Sequence, residues 1–281
     1  MENNVLVLGG DKRQLYMAKN MADKGYDVEI YGFSSIKDGF KVSENLCEGM
    51  KKNNIIILPM PVTRNNIVLN TPLNDFPVTI EEICENINEN HFIFGGMINK
   101  MFYDKVANLY DYSKSEELMI KNAMLTAEAT LQIIISYTPY SIFASDVLIL
   151  GYGRIGKLLA DDLKNLGARV TVCMRKECDF ATCCVKGLNT LGYDSLKDSI
   201  KNYRTVINTV PAKVIDKEVI DCMRDDTFLI DISSKDGGCD FEYLSEKVIN
   251  HIHALGLPGK SAPETAGNII SDIIVKQIEK G

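Results

Sequence analysis

The feature that most constrains this chain is an internal repeat. Residues 5–31, VLVLGGDKRQLYMAKNMADKGYDVEIY, align without a gap on residues 147–173, VLILGYGRIGKLLADDLKNLGARVTVC. One offset pairs Gly9 with Gly151, Ala18 with Ala160, Gly25 with Gly167 and Val28 with Val170. Each copy reads as an apolar strand, a glycine-bearing turn, an amphipathic helix, a glycine stop and a second strand. That is half of a doubly wound sheet. The echo continues where Ile55–Leu58 runs into Pro59 and Val206–Val210 into Pro211, with later strands expected at Phe92–Phe94 and Phe228–Ile232. The predicted fold class is α/β, with two tandem Rossmann-like doubly wound domains, a cleft between them and long linking helices. A length of 281 residues suits two domains.

Ser115–Thr138 places Leu118, Ala123, Leu125, Ala127, Leu131 and Ile134 at helical spacing, and Pro139 ends the run. This predicts a connecting helix. Pro263–Lys280 carries Ile269, Ile270, Ile273, Ile274 and Ile278, which predicts a second helix crossing back to the first domain. The first domain is therefore expected at 1–115 joined by 263–281, and the second, with the linker helix, at 116–262.

Composition narrows the function classes. The chain is 46% apolar and 25% charged, values of a globular protein. Unbroken apolar runs fall short of the ~18 residues a membrane span needs. The opening MENNVLVLGG lacks a basic segment, so no secretory signal is expected. None of the eight cysteines forms a CxxC pair, and Cys178, Cys183 and Cys184 fall in a loop-like stretch. They read as reduced thiols of a cytoplasmic protein. Net charge is −7 and the cations are scattered, which argues against a nucleic-acid partner. His251 and His253 would share a strand face, but no third ligand lies nearby, so no metal is expected.

Gly151-Tyr-Gly153-Arg154-Ile155-Gly156 follows the strand Asp146–Leu150 and opens the helix Lys157–Leu166. In that setting GxGxxG is a dinucleotide fingerprint. Gly151 allows the tight turn, Gly153 the approach of a pyrophosphate, and Gly156 close helix–strand packing. The helix N-terminus then offers free N–H groups to the phosphates. The strand Arg169–Met174 ends in Arg175-Lys176, where an acidic residue would hold the ribose hydroxyl of NAD and an arginine suits a 2′-phosphate. The expected cofactor is NADP. Asn208-Thr209-Val210-Pro211 should border the nicotinamide ribose, and Asp231-Ile-Ser233-Ser234-Lys235 should overlie the same crevice.

The first copy is altered. Gly9-Gly10-Asp11-Lys12-Arg13-Gln14 puts Asp11 in place of Gly153 and Gln14 in place of Gly156. A carboxylate there repels a pyrophosphate. The helix N-terminus and the added cations suit a small carboxylate substrate instead. Thr63-Arg64, just past Pro59-Met-Pro61, lies at the same sheet edge. Lys12, Arg13, Gln14, Thr63, Arg64, Ser233 and Ser234 are therefore the candidate substrate contacts.

Several of these segments resemble the family of dipicolinate synthase A subunits. They are residues 9–14, Asn122–Gln132, the loop Leu150–Gly156, Asp231–Phe241 and Ala254–Gly267. The resemblance runs nearly end to end. The chain departs from the family pattern at Leu125, Ala129 and Asp236, where Pro, Gly and Pro are expected. The resemblance implies NADP-dependent oxidation of a dihydrodipicolinate-level intermediate of the lysine pathway to dipicolinate, in the mother cell of a sporulating bacterium. It also implies the flavoprotein-like B subunit of dipicolinate synthase as partner, and a homo-oligomer is expected. Removing two hydrogens from a dihydropyridine yields an aromatic ring, so the protein must mainly hold the ring and accept a proton. The candidate acceptors are His253, Lys235 and Glu128. Two alternatives stay open. One is a dehydrogenase of the methylenetetrahydrofolate type, using Tyr16 and Lys19. The other is an NADP-binding regulatory protein.

Overall fold

The computed structural model describes residues 3–34, 39–234 and 237–280. The chain divides into two compact units, Met1–Asn122 with Ala262–Gly281, and Ala123–Ser261. In the first unit the order is β1 (Asn4–Leu8), α1 (Lys12–Asp23), β2 (Asp27–Tyr31), β3 (Lys41–Val42), α2 (Leu46–Lys52), β4 (Ile55–Ile57), α3 (Ile80–Glu85), β5 (Phe92–Gly95), α4 (Lys100–Tyr103) and β6 (Asn108–Asp111). The helix α5 (Glu116–Tyr137) leads into the second unit. There the order is β7 (Asp146–Leu150), α6 (Arg154–Asn165), β8 (Arg169–Met174), α7 (Glu177–Val185), β9 (Asn189–Gly192), α8 (Leu196–Ser199), β10 (Thr205–Asn208), α9 (Lys217–Asp221), β11 (Phe228–Asp231), α10 (Phe241–Ser245), β12 (Asn250–His253) and α11 (Leu257–Ser261). The last helix, α12 (Pro263–Ile278), belongs to the first unit.

Both sheets are parallel and share one topology. The first runs β3-β2-β1-β4-β5-β6 and the second β12-β11-β10-β7-β8-β9. Each is the doubly wound order, with its crevice where the strand order reverses, beside β1 and β7. Strands covered on both faces read as unbroken apolar runs. Val5–Leu8 and Leu148–Leu150 are accordingly fully buried. The helix α6 turns Leu159, Ala160 and Leu163 toward the second unit's core, which also holds Ile149, Val172, Ile207 and Ile230.

The repeat thus has its structural counterpart, with local corrections. The helix α6 starts at Arg154, not Lys157, because Gly153 is already its N-cap. The strands β10 and β11 stop at Asn208 and Asp231, short of Val210 and Ile232. The Asn208 side chain captures the Val210 N–H and Asp231 captures the Ser233 N–H, which turns the chain out of each ladder. Cys178, Cys183 and Cys184 lie on α7 rather than in a loop. Glu177 and Asp179 in its first turn favour that helix, and Cys183 is buried in the core. All eight cysteines are free thiols.

The helix α5 corrects another expectation. It is long and apolar enough, by length and composition, to cross a membrane. Scattered Thr, Gln and Ser residues interrupt its apolar runs, so counting consecutive apolar residues passes over it. Ala127, Ala129 and Ile134 pack in the second unit's core, whereas Ile120, Met124, Ile135 and Tyr137 are exposed. Near its start, Glu117 pairs with Lys121 and with Lys276 of α12.

Within the first unit α12 lies against α1. A Cβ on Gly267 would collide with the Arg13 carbonyl oxygen and reach Met17 N at 2.9 Å. Alanine gains up to about 1 kcal/mol of helix propensity over glycine. Forcing the helices apart costs about 1–3 kcal/mol. Gly267→Ala is therefore expected to lower the Tm, and a thermal melt showing an unchanged or raised Tm would refute this packing.

Candidate functional site

The dinucleotide-type turn is built from three glycines with separate tasks. Gly151 has φ +96°, and a Cβ there would meet Thr209 Oγ1 at 2.5 Å and Val210 Cγ2 at 2.8 Å. A Cβ on Gly156 would strike the Gly151 carbonyl oxygen. A Cβ on Gly153 would meet nothing within 4 Å. Gly153 thus caps α6 beside open space and supplies no side-chain hydrogen bond to the helix. The first N–H groups of α6 keep the orientation and partial positive charge that bind an anion. Arg154 and Ile155 are the first two residues of that helix, and Ile155 packs against the core.

A pocket of about 570 Å³ opens at this turn. Gly151, Gly153, Arg175, Lys176, Thr209, Val210 and Pro211 all line it, so most of the predicted cofactor set surrounds one cavity. Thr209 also braces the turn, because its Oγ1 donates to Leu150 O at 2.9 Å. Sequence reading missed the far wall, Tyr193, Leu196, Lys197, Val214 and Val219. Those residues come from helices of four or five residues and the turns beside them, too short to leave a periodic signal. Burial pushes the Tyr193 phenol up to about 12, so it faces the pocket as a neutral donor.

Asn208 behaves differently from its neighbours. It is fully buried and absent from the pocket wall. Its Nδ2 donates to Asp231 Oδ2 and to Val210 O, both at 3.1 Å. Ser233 is buried as well, and its hydroxyl donates to Asp231 Oδ1 at 2.6 Å. Ser234 is exposed and accepts from Gly237 N at 2.7 Å. Lys235 lies outside the described residues. Asp231 is the organising group that sequence reading passed over. Burial pushes its carboxyl up, but hydrogen bonds from the Cys239 thiol, the Ser233 hydroxyl and the Gly238 and Ser233 N–H groups outweigh this and hold it below the usual carboxylate range. The available signal was an acidic residue ending an apolar strand, just ahead of serines and a glycine pair.

His253 is the in-register neighbour of Asp231. Its ring stacks on Phe241, with centroids 4.6 Å apart and planes at 20°. Its Nε2 is buried with no partner among the described residues. Glu128 is an exposed residue of α5.

In the first unit the altered turn is filled from within. Asp11 caps α1 and accepts from Arg13 N at 3.0 Å, while Gln14 Oε1 accepts from Asp11 N at 3.0 Å. The Arg13 guanidinium grips the Asp11 carboxylate through Nε at 2.9 Å and Nη2 at 2.8 Å, and Nη2 also donates to Met60 O at 2.8 Å. Arg13 and Gln14 are buried, whereas Lys12 is exposed. Thr63 folds its own loop, donating to Val68 O at 2.6 Å and accepting from Asn66 N at 3.0 Å. Arg64 is exposed and donates to Asn70 at 3.3 Å. Lys12 and Arg64 are thus the open cations of the predicted substrate set. Tyr16 is a partly exposed residue of α1 at the α12 contact, and Lys19 is exposed.

Known proteins match both units. The family described as the N-terminal domain of the dipicolinate synthase A subunit matches residues 4–112. The NAD binding domain of D-isomer specific 2-hydroxyacid dehydrogenases matches residues 122–247. The dipicolinate synthase A subunit of Bacillus subtilis is 30% identical over 280 residues, covering 97% of this chain and 94% of that protein. The crystal structure of the Bacillus subtilis protein has a TM-score of 0.87 at 29% identity, covering 100% of this chain and 97% of that one. The structure of its Bacillus halodurans counterpart has a TM-score of 0.88 at 28% identity, covering 98% and 97%.

Two measurements probe the site. Gly153→Ala is expected to keep the wild-type Tm and lose NADPH binding, because its methyl points into ligand space. Gly156→Ala is expected to lower both. Fluorescence titration with parallel melts reads this, and wild-type NADPH affinity in Gly153→Ala would contradict the assignment. The second concerns Asp231. A carboxyl held below its unfolded value of about 3.9 stabilises the fold above that pH. The contribution is lost as pH falls through the folded value. The stability gap between wild type and Asp231→Asn in urea unfolding should therefore narrow below about pH 4. A constant gap from neutral to acid pH would contradict an ionised Asp231.

Proposed function

The chain belongs to the family of dipicolinate synthase A subunits, and we propose that it oxidises a dihydrodipicolinate-level intermediate of the lysine pathway to dipicolinate, with NADP as acceptor. A dinucleotide-binding dehydrogenase domain is present, and the finer reading rests on its glycine turn beside Arg175. That turn presents a helix end with no side-chain cap, and Arg175 and Lys176 line the same pocket. Both features favour a dinucleotide with an extra phosphate. When bound, the nicotinamide supplies the two-electron acceptor for the ring.

The chain's own residues would do the rest. Gly151, Gly153 and the first N–H groups of α6 hold the pyrophosphate, with Arg154 and Ile155 opening that helix. Arg175 and Lys176 face the 2′-phosphate. Thr209, Val210 and Pro211 set the position of the nicotinamide half, and Asn208 fixes their loop. Lys12 and Arg64 supply open positive charge for a dicarboxylate at the carboxyl edge of the first unit's sheet, backed by Arg13, Gln14 and Thr63, which shape that edge. Ser233 and Ser234 shape the loop after β11. A second ring hydrogen leaves as a proton. His253, whose Nε2 lacks a partner among the described residues, is the favoured acceptor over Glu128 and Lys235. The flavoprotein-like B subunit as partner and a homo-oligomeric state complete the reading. The enzyme would then act in the mother-cell cytoplasm of a sporulating bacterium.

Absorbance at the NADPH band tests this directly. The expected result is NADPH formation from the lysine-pathway intermediate with the purified chain plus its B subunit. No formation under those conditions would overturn the proposal. A charge-assisted contact of Arg175 is worth about 1.5–3 kcal/mol, or roughly ten- to a hundredfold in affinity. Arg175→Asp should shift the NADPH-to-NADH preference by that amount, and an unchanged ratio of dissociation constants would remove Arg175 from the role.

A further inference from the structure

Asp231 is the last residue of β11 and is fully buried. Its Oδ1 accepts from Ser233 N at 2.8 Å and from Ser233 Oγ at 2.6 Å. Its Oδ2 accepts from Gly238 N at 2.7 Å, Cys239 Sγ at 3.0 Å and Asn208 Nδ2 at 3.1 Å. The first four donors belong to the segment after β11. The fifth belongs to the end of β10. A buried carboxylate needs such donors, and hydrogen bonds to a charged acceptor are roughly twice as strong as neutral ones.

The same two segments are joined by a second seam. Gly238 O accepts from Val214 N and Ile215 N, both at 3.0 Å, and Asp240 N donates to Ile215 O at 2.9 Å. A Cβ on Gly238 would collide with Asn208 Nδ2 and Val210 O. The loop after β11 therefore lies directly on the loop after β10. Asn208, which donates to Asp231, also fixes both polar groups of Val210. Val210 lines the dinucleotide pocket and Asp231 does not.

We propose that Asp231 is a positioning residue that fastens Ser233, Gly238 and Cys239 to the cofactor-lining loop, so that seating a dinucleotide also orders those residues. The inference rests on the dinucleotide reading of the glycine turn. The packed loops cannot move independently, because each shift would break bonds to one shared carboxylate. A dinucleotide set against Thr209, Val210 and Pro211 would restrict Asn208, and through Asp231 it would restrict Ser233 and Gly238.

Amide hydrogen exchange on the full chain, with and without NADPH, tests this. In the wild type NADPH is expected to slow exchange at Gly153–Gly156 and at Ser233 and Gly238 together, the latter by about tenfold, the size of one charge-assisted bond. In Asp231→Asn the new amide NH₂ opposes the Asn208, Gly238 and Cys239 donors. Protection by NADPH should persist at Gly153–Gly156 and vanish at Ser233 and Gly238. Cys239→Ser and Cys239→Ala form a milder pair should the Asn variant fail to fold. Serine keeps a donor to Asp231 and should retain the NADPH effect at Gly238, and alanine should lose part of it. Protection confined to the glycine turn in the wild type would overturn the coupling. Protection at neither place would overturn the dinucleotide reading itself.

Discussion

One physical constraint organises both halves of this molecule. A helix that follows the first strand of a doubly wound sheet leaves its first N–H groups unpaired, and something must satisfy them. In the second unit Gly153 provides no side chain, so α6 ends at open space within a pocket. In the first unit Asp11 satisfies the same groups with its own carboxylate and is held by Arg13. The two turns occupy equivalent positions in sheets of the same topology. One carries its anion internally, and the other is left for an anion from outside.

The remaining site features follow from where strands end. The strands β10 and β11 stop where Asn208 and Asp231 capture nearby backbone groups and each other. That pair sets the loops whose residues line the pocket or pack behind it. Its energetics are those of a buried charge, which is tolerable only when well supplied with donors. Five donors converge on Asp231, and its carboxyl stays ionised despite complete burial.

The sheet topology and the glycine turn were legible in the sequence because both leave periodic or positional traces. The repeated strand–turn–helix pattern sets the strand order, and Gly151 and Gly156 stand where a Cβ would collide, while Gly153 stands where a side chain would enter the pocket. Long-range hydrogen bonding was not legible. Arg13 and Gln14 read as ligands from their place in the altered turn at a helix N-terminus, yet they serve the cap and the Met60 carbonyl. Asp231 read only as the start of a loop over the crevice, because three of its five donors come from Asn208, Gly238 and Cys239, which are not its neighbours in sequence. The helical state of Cys178–Cys184 was missed because α7 is short and mostly exposed, with only Cys183 buried.

In the proposed function the intact turn binds a dinucleotide while its altered twin, closed by Asp11, does not. Calorimetric titration of the full chain with NADPH measures this as a stoichiometry. One dinucleotide per chain is predicted, with binding abolished by Gly153→Ala and unaffected by replacing Lys12. Two dinucleotides per chain, or a single site that survives Gly153→Ala, would contradict it.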